Sequence, residues 1–400
     1  MKSIIAAGTL ALLAAGPGMA ASPLADIPYD GAPRFEAGDW SIKPRGRLLY
    51  DYGYIERPDG VVAQDLGWVG EFRAARLGVE IGAPAGLSAK VEVDFADNYP
   101  IFAEAAVYYQ ATDNLGFTLG HHKNFNTMEE MNSSLDISFL ERAAFTDAFD
   151  FQRRVGASVN WKSEHVIADA GLFTQNLDSF EEQRDTQLSY DARVVLKDER
   201  PGALDHIGAS VHHLEFKRDP GQTTRYRERP QFHATDARFL STPRFVADRE
   251  SGLGLEAAAV RGPLHVTGEA YWLQTGNDVG DPEPGFFGAF IEAGYFLTGE
   301  QRGYRDGYFR STKPLRPLGR GGFGAVQVNA RYDHLDLSDG SIRGGTQDAY
   351  LVSLSWLPTA RTRFLVDAGI IDYDDAALPA AGGDRDYSVG TVAMRAQFDF

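Results

Sequence analysis

The sequence predicts an all-β fold, a transmembrane antiparallel β-barrel of about sixteen strands, wide enough to keep an aqueous channel. Three observations predict it. A leader addresses the chain for export, and no later apolar run is long enough to cross a bilayer as a helix. Stretches of alternating polar and apolar residues recur from residue 40 onward. The last of them closes on a terminal phenylalanine, Phe400.

Taken in order, Lys2 precedes an apolar run from Ile4 to Ala15, then Gly16-Pro17 and the small-residue stretch Gly18-Met19-Ala20-Ala21. A basic start, a short apolar middle and a small-residue end describe a secretory signal peptide over residues 1–20. The run falls short of the roughly 18 apolar residues that a helical span needs, which disfavours a membrane anchor. Residues 21–39 are rich in Pro, Ala and Asp and read as a lead-in, and residues 40–400 read as the barrel.

Cysteine is absent, so no disulfide framework holds the fold. Mean hydropathy is −0.29, and a sheet closed on itself is then the way to cross a membrane without free hydrogen-bonding edges. The 25 Phe, 17 Tyr and 43 Gly suit the aromatic ends and turns of such a sheet.

Four stretches carry the alternation. Leu87, Ala89, Val91, Val93 and Phe95 take one face, with Ser88, Lys90, Glu92 and Asp94 on the other. Val326, Val328, Ala330 and Tyr332 oppose Gln327, Asn329, Arg331 and Asp333. Tyr350, Val352, Leu354 and Trp356 oppose Ser353 and Ser355, and Val392, Met394, Ala396, Phe398 and Phe400 oppose Arg395, Gln397 and Asp399. A period of two sends one set toward lipid and the other toward a polar lumen. A terminal Phe after such a strand also resembles the signal read by the machinery that assembles outer-membrane barrels.

Short joints fall at Gly82–Gly86, Asp97–Pro100 and Pro358–Arg361, and long ones at Lys123–Asp150, Lys217–Arg249 and Glu300–Arg320. The expected arrangement is short turns on one rim and long loops on the other.

An ordered set of residues resembles the phosphate-selective porins O and P. It includes Gly120-His-His-Lys-Asn-Phe-Asn-Thr-Met-Glu-Glu-Met-Asn-Ser-Ser134 followed by Phe139-Leu-Glu-Arg142, and Phe72-Arg-Ala-Ala-Arg-Leu77 with Val91-Glu-Val-Asp-Phe-Ala96. Toward the C-terminus it continues with Tyr295-Phe-Leu-Thr-Gly-Glu300, Tyr304, Arg331-Tyr-Asp-His-Leu-Asp-Leu337, Gly344-Gly345 and Trp356. The resemblance implies a trimeric outer-membrane porin in which an inward-folded third loop, Lys123–Asp150, forms the constriction with Lys123, Glu129 and Glu130. It implies an anion pathway marked by Lys43 and Arg47 on the first strand, Arg73 before the second, Arg142 after the loop, and a basic loop bearing Arg225, Arg227 and Arg229. One departure is Glu130, just before Met131-Asn132-Ser133-Ser134, where phosphate-binding members tend to carry lysine.

Charge alone is less directive. The formal total of −17 excludes nucleic acid as a partner. By alternation the lumen takes nine basic residues (Lys43, Arg45, Arg47, Arg76, Lys90, Arg331, Arg361, Arg363, Arg395) and nine acidic ones (Asp51, Glu80, Glu92, Asp94, Glu104, Glu292, Asp333, Asp367, Asp399). The loops differ: 217–249 holds eight Lys/Arg against four Asp/Glu, 300–320 six against two, and 123–150 two against six. Basic loops at a mouth concentrate anions, and Arg225, Arg227 and Arg229 would point one way along a strand. The plainer alternative is that these are solvated loop charges or lipopolysaccharide contacts.

The expected function is passive diffusion of small anions, phosphate or related oxyanions, across the outer membrane of a Gram-negative cell. A general porin of weak selectivity and a plugged structural or adhesin barrel are the alternatives. Lipid, lipopolysaccharide and two further copies of the chain are the expected partners. His121, His122, His212, His213, His265 and His334 are available as bases, but neither G-x-S-x-G nor H-E-x-x-H occurs. No enzymatic activity, cofactor or metal is expected, because no spacing brings a nucleophile, base and orienting acid together.

Overall fold

In the computed structural model of the protein, residues 31–97, 99–177, 186–217 and 223–400 are described. The expected signal peptide, residues 1–20, and residues 21–30 of the expected lead-in lie outside them. The alternating stretches become wall strands: β1 (Trp40–Ile55), β2 (Gly67–Gly82), β3 (Leu87–Asp94), β4 (Ile101–Gln110), β5 (Leu115–Lys123), β6 (Arg153–Lys162), β7 (Val166–Phe173) and β8 (Thr186–Arg200). The other half is β9 (Ala203–Lys217), β10 (Arg249–Arg261), β11 (Leu264–Gly276), β12 (Gly285–Phe296), β13 (Ala325–Asp339), β14 (Ile342–Thr359), β15 (Thr362–Asp374) and β16 (Tyr387–Asp399). Each pairs antiparallel with its sequence neighbours, and β1 also pairs with β16, from Arg47↔Asp399 to Ile55↔Thr391. That pairing closes a barrel of sixteen strands, with a short strand, Phe35–Ala37, added to the start of β1.

The faces fall as the alternation predicts. On β14, Val352 is 57% exposed and Ser353 5%. On β1, Leu48, Tyr50, Tyr52 and Tyr54 point outward. Tyr52 stacks on Trp68 of β2, ring centroids 5.4 Å apart, in the manner of an interfacial aromatic girdle.

Counting strands assigns each connection to a rim, and here one expectation fails. Connections 83–86, 111–114, 163–165, 201–202, 262–263 and 360–361 share a rim with the start of β1 and the end of β16. So does the long segment 297–324, because an even number of strands precedes it. Conversely, the short joints 95–100 and 340–341 lie on the rim of the long loops. Loop length therefore does not sort the rims; strand parity does.

Both long segments 124–152 and 297–324 pack against inward-facing wall side chains. The first contains two short helices, α1 (Met128–Met131) and α2 (Ala144–Ala148). Its buried amides need acceptors, and wall carboxylates provide them. Met128 N–H donates to Glu256 (2.9 Å), Glu129 N–H to Glu269 (2.7 Å), Leu140 N–H to Asp367 (2.6 Å) and Ala144 N–H to Asp333 (3.0 Å). The second segment forms a hairpin, Gly303–Arg305 with Tyr308–Arg310, turned by Asp306-Gly307 at φ 53° and 82°. Two successive positive φ angles are what a tight hairpin turn requires, and Asp-Gly supplies them. The hairpin meets the first segment: Phe309 shares a buried apolar cluster with Met128, Arg302 donates to Ser138 Oγ (2.6 Å), and Phe309 N–H donates to Asn132 Oδ1 (3.0 Å).

An apolar core sits where loops and wall meet. Phe139, Phe145, Phe149, Phe232 and Phe239 are buried with Tyr226 and Tyr271, and Phe145 stacks on Tyr271 at 6.0 Å.

Candidate functional site

The two inserted segments leave a cavity of about 660 Å³ against the β1–β6 wall. Twelve Lys and Arg side chains line it (Arg45, Arg47, Arg73, Arg76, Lys90, Lys123, Arg142, Arg153, Arg305, Arg310, Lys313 and Arg361) against five carboxylates, Glu92, Glu104, Glu130, Asp136 and Asp399. The even balance of lumen charge along the sequence is thus uneven in space. On the opposite wall Arg193 (β8) is fully buried between Glu256 (β10), at 2.5 Å, and the carbonyl of Gly307, at 2.9 Å. Arg331 (β13) likewise bridges Glu292 at 2.7 Å and Glu129 at 2.9 Å. Those charges brace the inserted segments.

A second cavity, about 120 Å³, lies on the long-loop side and is lined by Arg229, Asp147, Glu228, Phe232 and His233 among others. Arg73, Glu130 and Arg142 line both cavities and so mark the neck between them.

The strands place these groups by specific means. Arg45 and Arg47 follow the inward alternation of β1, with Arg45 on Glu80 at 3.0 Å and Arg47 donating to Ser134 Oγ at 2.9 Å. Arg76 pairs with Asp94 at 2.6 Å, and Lys90 with Glu104 at 2.9 Å. Arg73 lies inside β2 and not before it, which corrects the reading from the resemblance. Leu49 pairs with Ala74 and Tyr50 with Phe72, so Arg73 is the extra residue of a β-bulge. A bulge re-aims a side chain, here into the lumen, where Arg73 pairs with Glu141 at 3.2 Å.

At the neck, Glu130 reaches Lys123 at 3.3 Å and Arg142 at 3.4 Å. Arg142 also donates to the carbonyls of Glu129 (2.9 Å) and Asn132 (2.8 Å). Lys123 donates to the carbonyls of Glu130 and Asn132. Burial opposes ionisation of Glu130, but Arg142 and Lys123 outweigh it and hold its carboxyl below the usual range. Glu141 is brought down to about 2 in the same way, burial being outweighed by Arg73 and Arg395.

The other expected residues are dispersed. Glu129 turns from the cavities to Arg331 on β13. Lys43 lies in the electrostatic reach of Arg45, Arg361 and Glu80 without lining either cavity. Arg225 and Arg227 are exposed on the long-loop rim, while Tyr226 between them and Glu228 after them are buried. Arg229 is held by Asp147 at 2.8 Å and lines only the smaller cavity.

Arg153, Arg305, Arg310 and Lys313 escaped the sequence reading. Arg153 stands at the junction of loop and strand, where the alternation has no phase yet, and its register partner on β5 is Lys123. Arg305 and Arg310 flank the Asp306-Gly307 turn, a signal that marks a hairpin but not that it enters the barrel. Among the described residues no group of three or more His, Cys, Asp or Glu is placed to hold a metal ion.

The family described as phosphate-selective porin O and P matches residues 42–400. An uncharacterized protein of Caulobacter vibrioides is 39% identical, over 98% of this chain and 81% of its own length. Among solved structures, the outer-membrane OmpT of Vibrio cholerae aligns with a TM-score of 0.59 at 11% identity, covering 92% of this chain and all of that one (100%). An anion-selective porin from Comamonas acidovorans aligns with a TM-score of 0.55 at 13% identity, covering 90% and 100%. These structures share the fold, and the family match spans the whole barrel. The chain belongs to the phosphate-selective porin O and P family and is a channel of the Gram-negative outer membrane.

Proposed function

We propose that the channel passes small anions by diffusion, phosphate and related oxyanions among them. The observation that carries this reading is the excess of cations in the open cavity, twelve against five carboxylates. In a low-dielectric enclosure such an excess raises the local concentration of anions. Arg47, Arg73, Arg76 and Arg142 form its pathway, and Arg225, Arg227 and Arg229 act at the outer mouth. The family's description and that of the Comamonas porin agree with the reading. The exposed apolar belt suits lipid, and the long-loop rim suits lipopolysaccharide. Three copies are the proposed assembly, as a trimer form is described for Vibrio OmpT.

The experiment is the reversal potential of single channels in a potassium chloride gradient, before and after adding phosphate. Anion selectivity is the expected result, and cation selectivity would reject it. A weakly selective general porin is the second reading. It is favoured by the ion pairing of Arg45, Arg76, Lys90, Lys123 and Arg142, which spends much of their field locally.

A further inference from the structure

The neck between the cavities is held by Arg73, Arg142 and Glu130, and the last has the wrong sign for passing anions. Its two carboxylate oxygens are divided between two cations, Oε1 toward Lys123 Nζ and Oε2 toward Arg142 Nε. Neither cation is free to follow a passing ion. Each is tied to the carbonyl of Asn132, with Lys123 also on Glu130 O and Arg142 also on Glu129 O. Glu130 is equally fixed. Thr127 caps α1 by accepting from Glu130 N–H at 3.2 Å, and the two preceding amides are bonded to wall carboxylates. A third cation, Arg153, lines the same cavity within electrostatic reach of both Glu104 and Glu130 and belongs to neither.

Two fixed cations, one beside each oxygen of a planar anion, form an electrostatic seat for an oxyanion. Here a side chain of the protein already fills it. We propose that the Glu130 carboxylate is a tethered occupant of an oxyanion seat built by Lys123 and Arg142, so that a permeating oxyanion must compete with it. Anions then cross the neck without being retained. This rests on the anion reading above and adds to it a reason for weak binding.

The test is block of chloride current by inorganic phosphate in planar bilayers, on wild type, Glu130→Gln and Glu104→Gln. Glu104 lines the same cavity and supplies the comparison for loss of one negative charge without vacating the seat. Glu130→Gln should show saturable block, half-complete at a phosphate concentration about tenfold below wild type, the size of one charge-assisted contact. Adding Arg142→Ala to Glu130→Gln should abolish that block. Equal shifts in the two Gln variants would mean a general field and no seat, and an unblocked Glu130→Gln would mean the same. Only inserted, conducting channels are scored, and Glu130→Ala serves as a second variant if the Gln protein inserts poorly. The wild-type reversal potential separates failure of this inference from failure of anion selectivity itself.

Discussion

Arg73 has no cross-strand partner on β1, because Leu49 takes Ala74 and Tyr50 takes Phe72. A strict period of two cannot anticipate such an insertion, which is why alternation places Arg47 and Arg76 in the lumen but leaves Arg73 out. The same reading treated every inward residue as wet, and Ser353 shows the error. Its hydroxyl donates to Ser138 O at 2.8 Å and accepts from Asn329 at 2.7 Å, beneath the inserted segment. Val352→Arg should cost about 2–4 kcal/mol if the side chain lies near the bilayer midplane. Ser353→Arg, tolerable in an open lumen, should instead cost roughly 1–3 kcal/mol by overpacking. Both are read from the temperature at which unboiled protein begins to run as unfolded on a denaturing gel. Unchanged stability in Val352→Arg would mean that the register is off by one.

At the scale of elements, the strands were legible and the destinations of the long segments were not. Asp306-Gly307 announces a hairpin, but its rim depends on the parity of strands before it. Replacing residues 301–313 by a short turn should raise single-channel conductance and lower anion preference, since Arg305, Arg310 and Lys313 leave with it. Unchanged conductance would show that the hairpin does not narrow the path. The neck also makes a statement about pH. Glu130 has a folded pKa below its ordinary 4.5, so the ion pair persists above that value and is lost only as pH falls through the lowered one. Titration of the Glu130 carboxyl should therefore add no step to anion selectivity between about pH 8 and about pH 5. A step in reversal potential within that window that vanishes in Glu130→Gln would contradict it.

For the whole molecule, closure brings the last residue back to the first strand. Phe400 exchanges backbone hydrogen bonds with Gly46 at 3.0 and 3.2 Å. Its ring lies so close over the glycine that an added Cβ would meet Phe400 Cζ at 2.2 Å. Gly46→Ala should therefore lower the yield of heat-modifiable barrel, with inserted copies conducting normally. A normal yield would show that the ring shifts freely. The net charge and the balanced lumen count gave no hint of the cationic cavity, because segregation across the barrel depends on which strands face the inserted segments. Arg225 and Arg227 line neither cavity, so neutralising them together with Arg229 should lower anion preference mainly at low salt, where screening reaches furthest. An equal effect at high salt would place them in the path.

The hydrogen bonds from loop amides to wall carboxylates have a consequence in time. Met128 reaches Glu256 across 128 residues of sequence, and Leu140 reaches Asp367 across 227. None of these acceptors exists as a formed wall until the later strands are in place, and contacts so distant along the chain form slowly. If the sheet sealed with the segment left outside, Glu256, Glu269, Asp333 and Asp367 would all lose these donors. The expectation is that sealing and threading occur together. A newly inserted channel should appear at its final conductance, with no wide, long-lived precursor that later constricts.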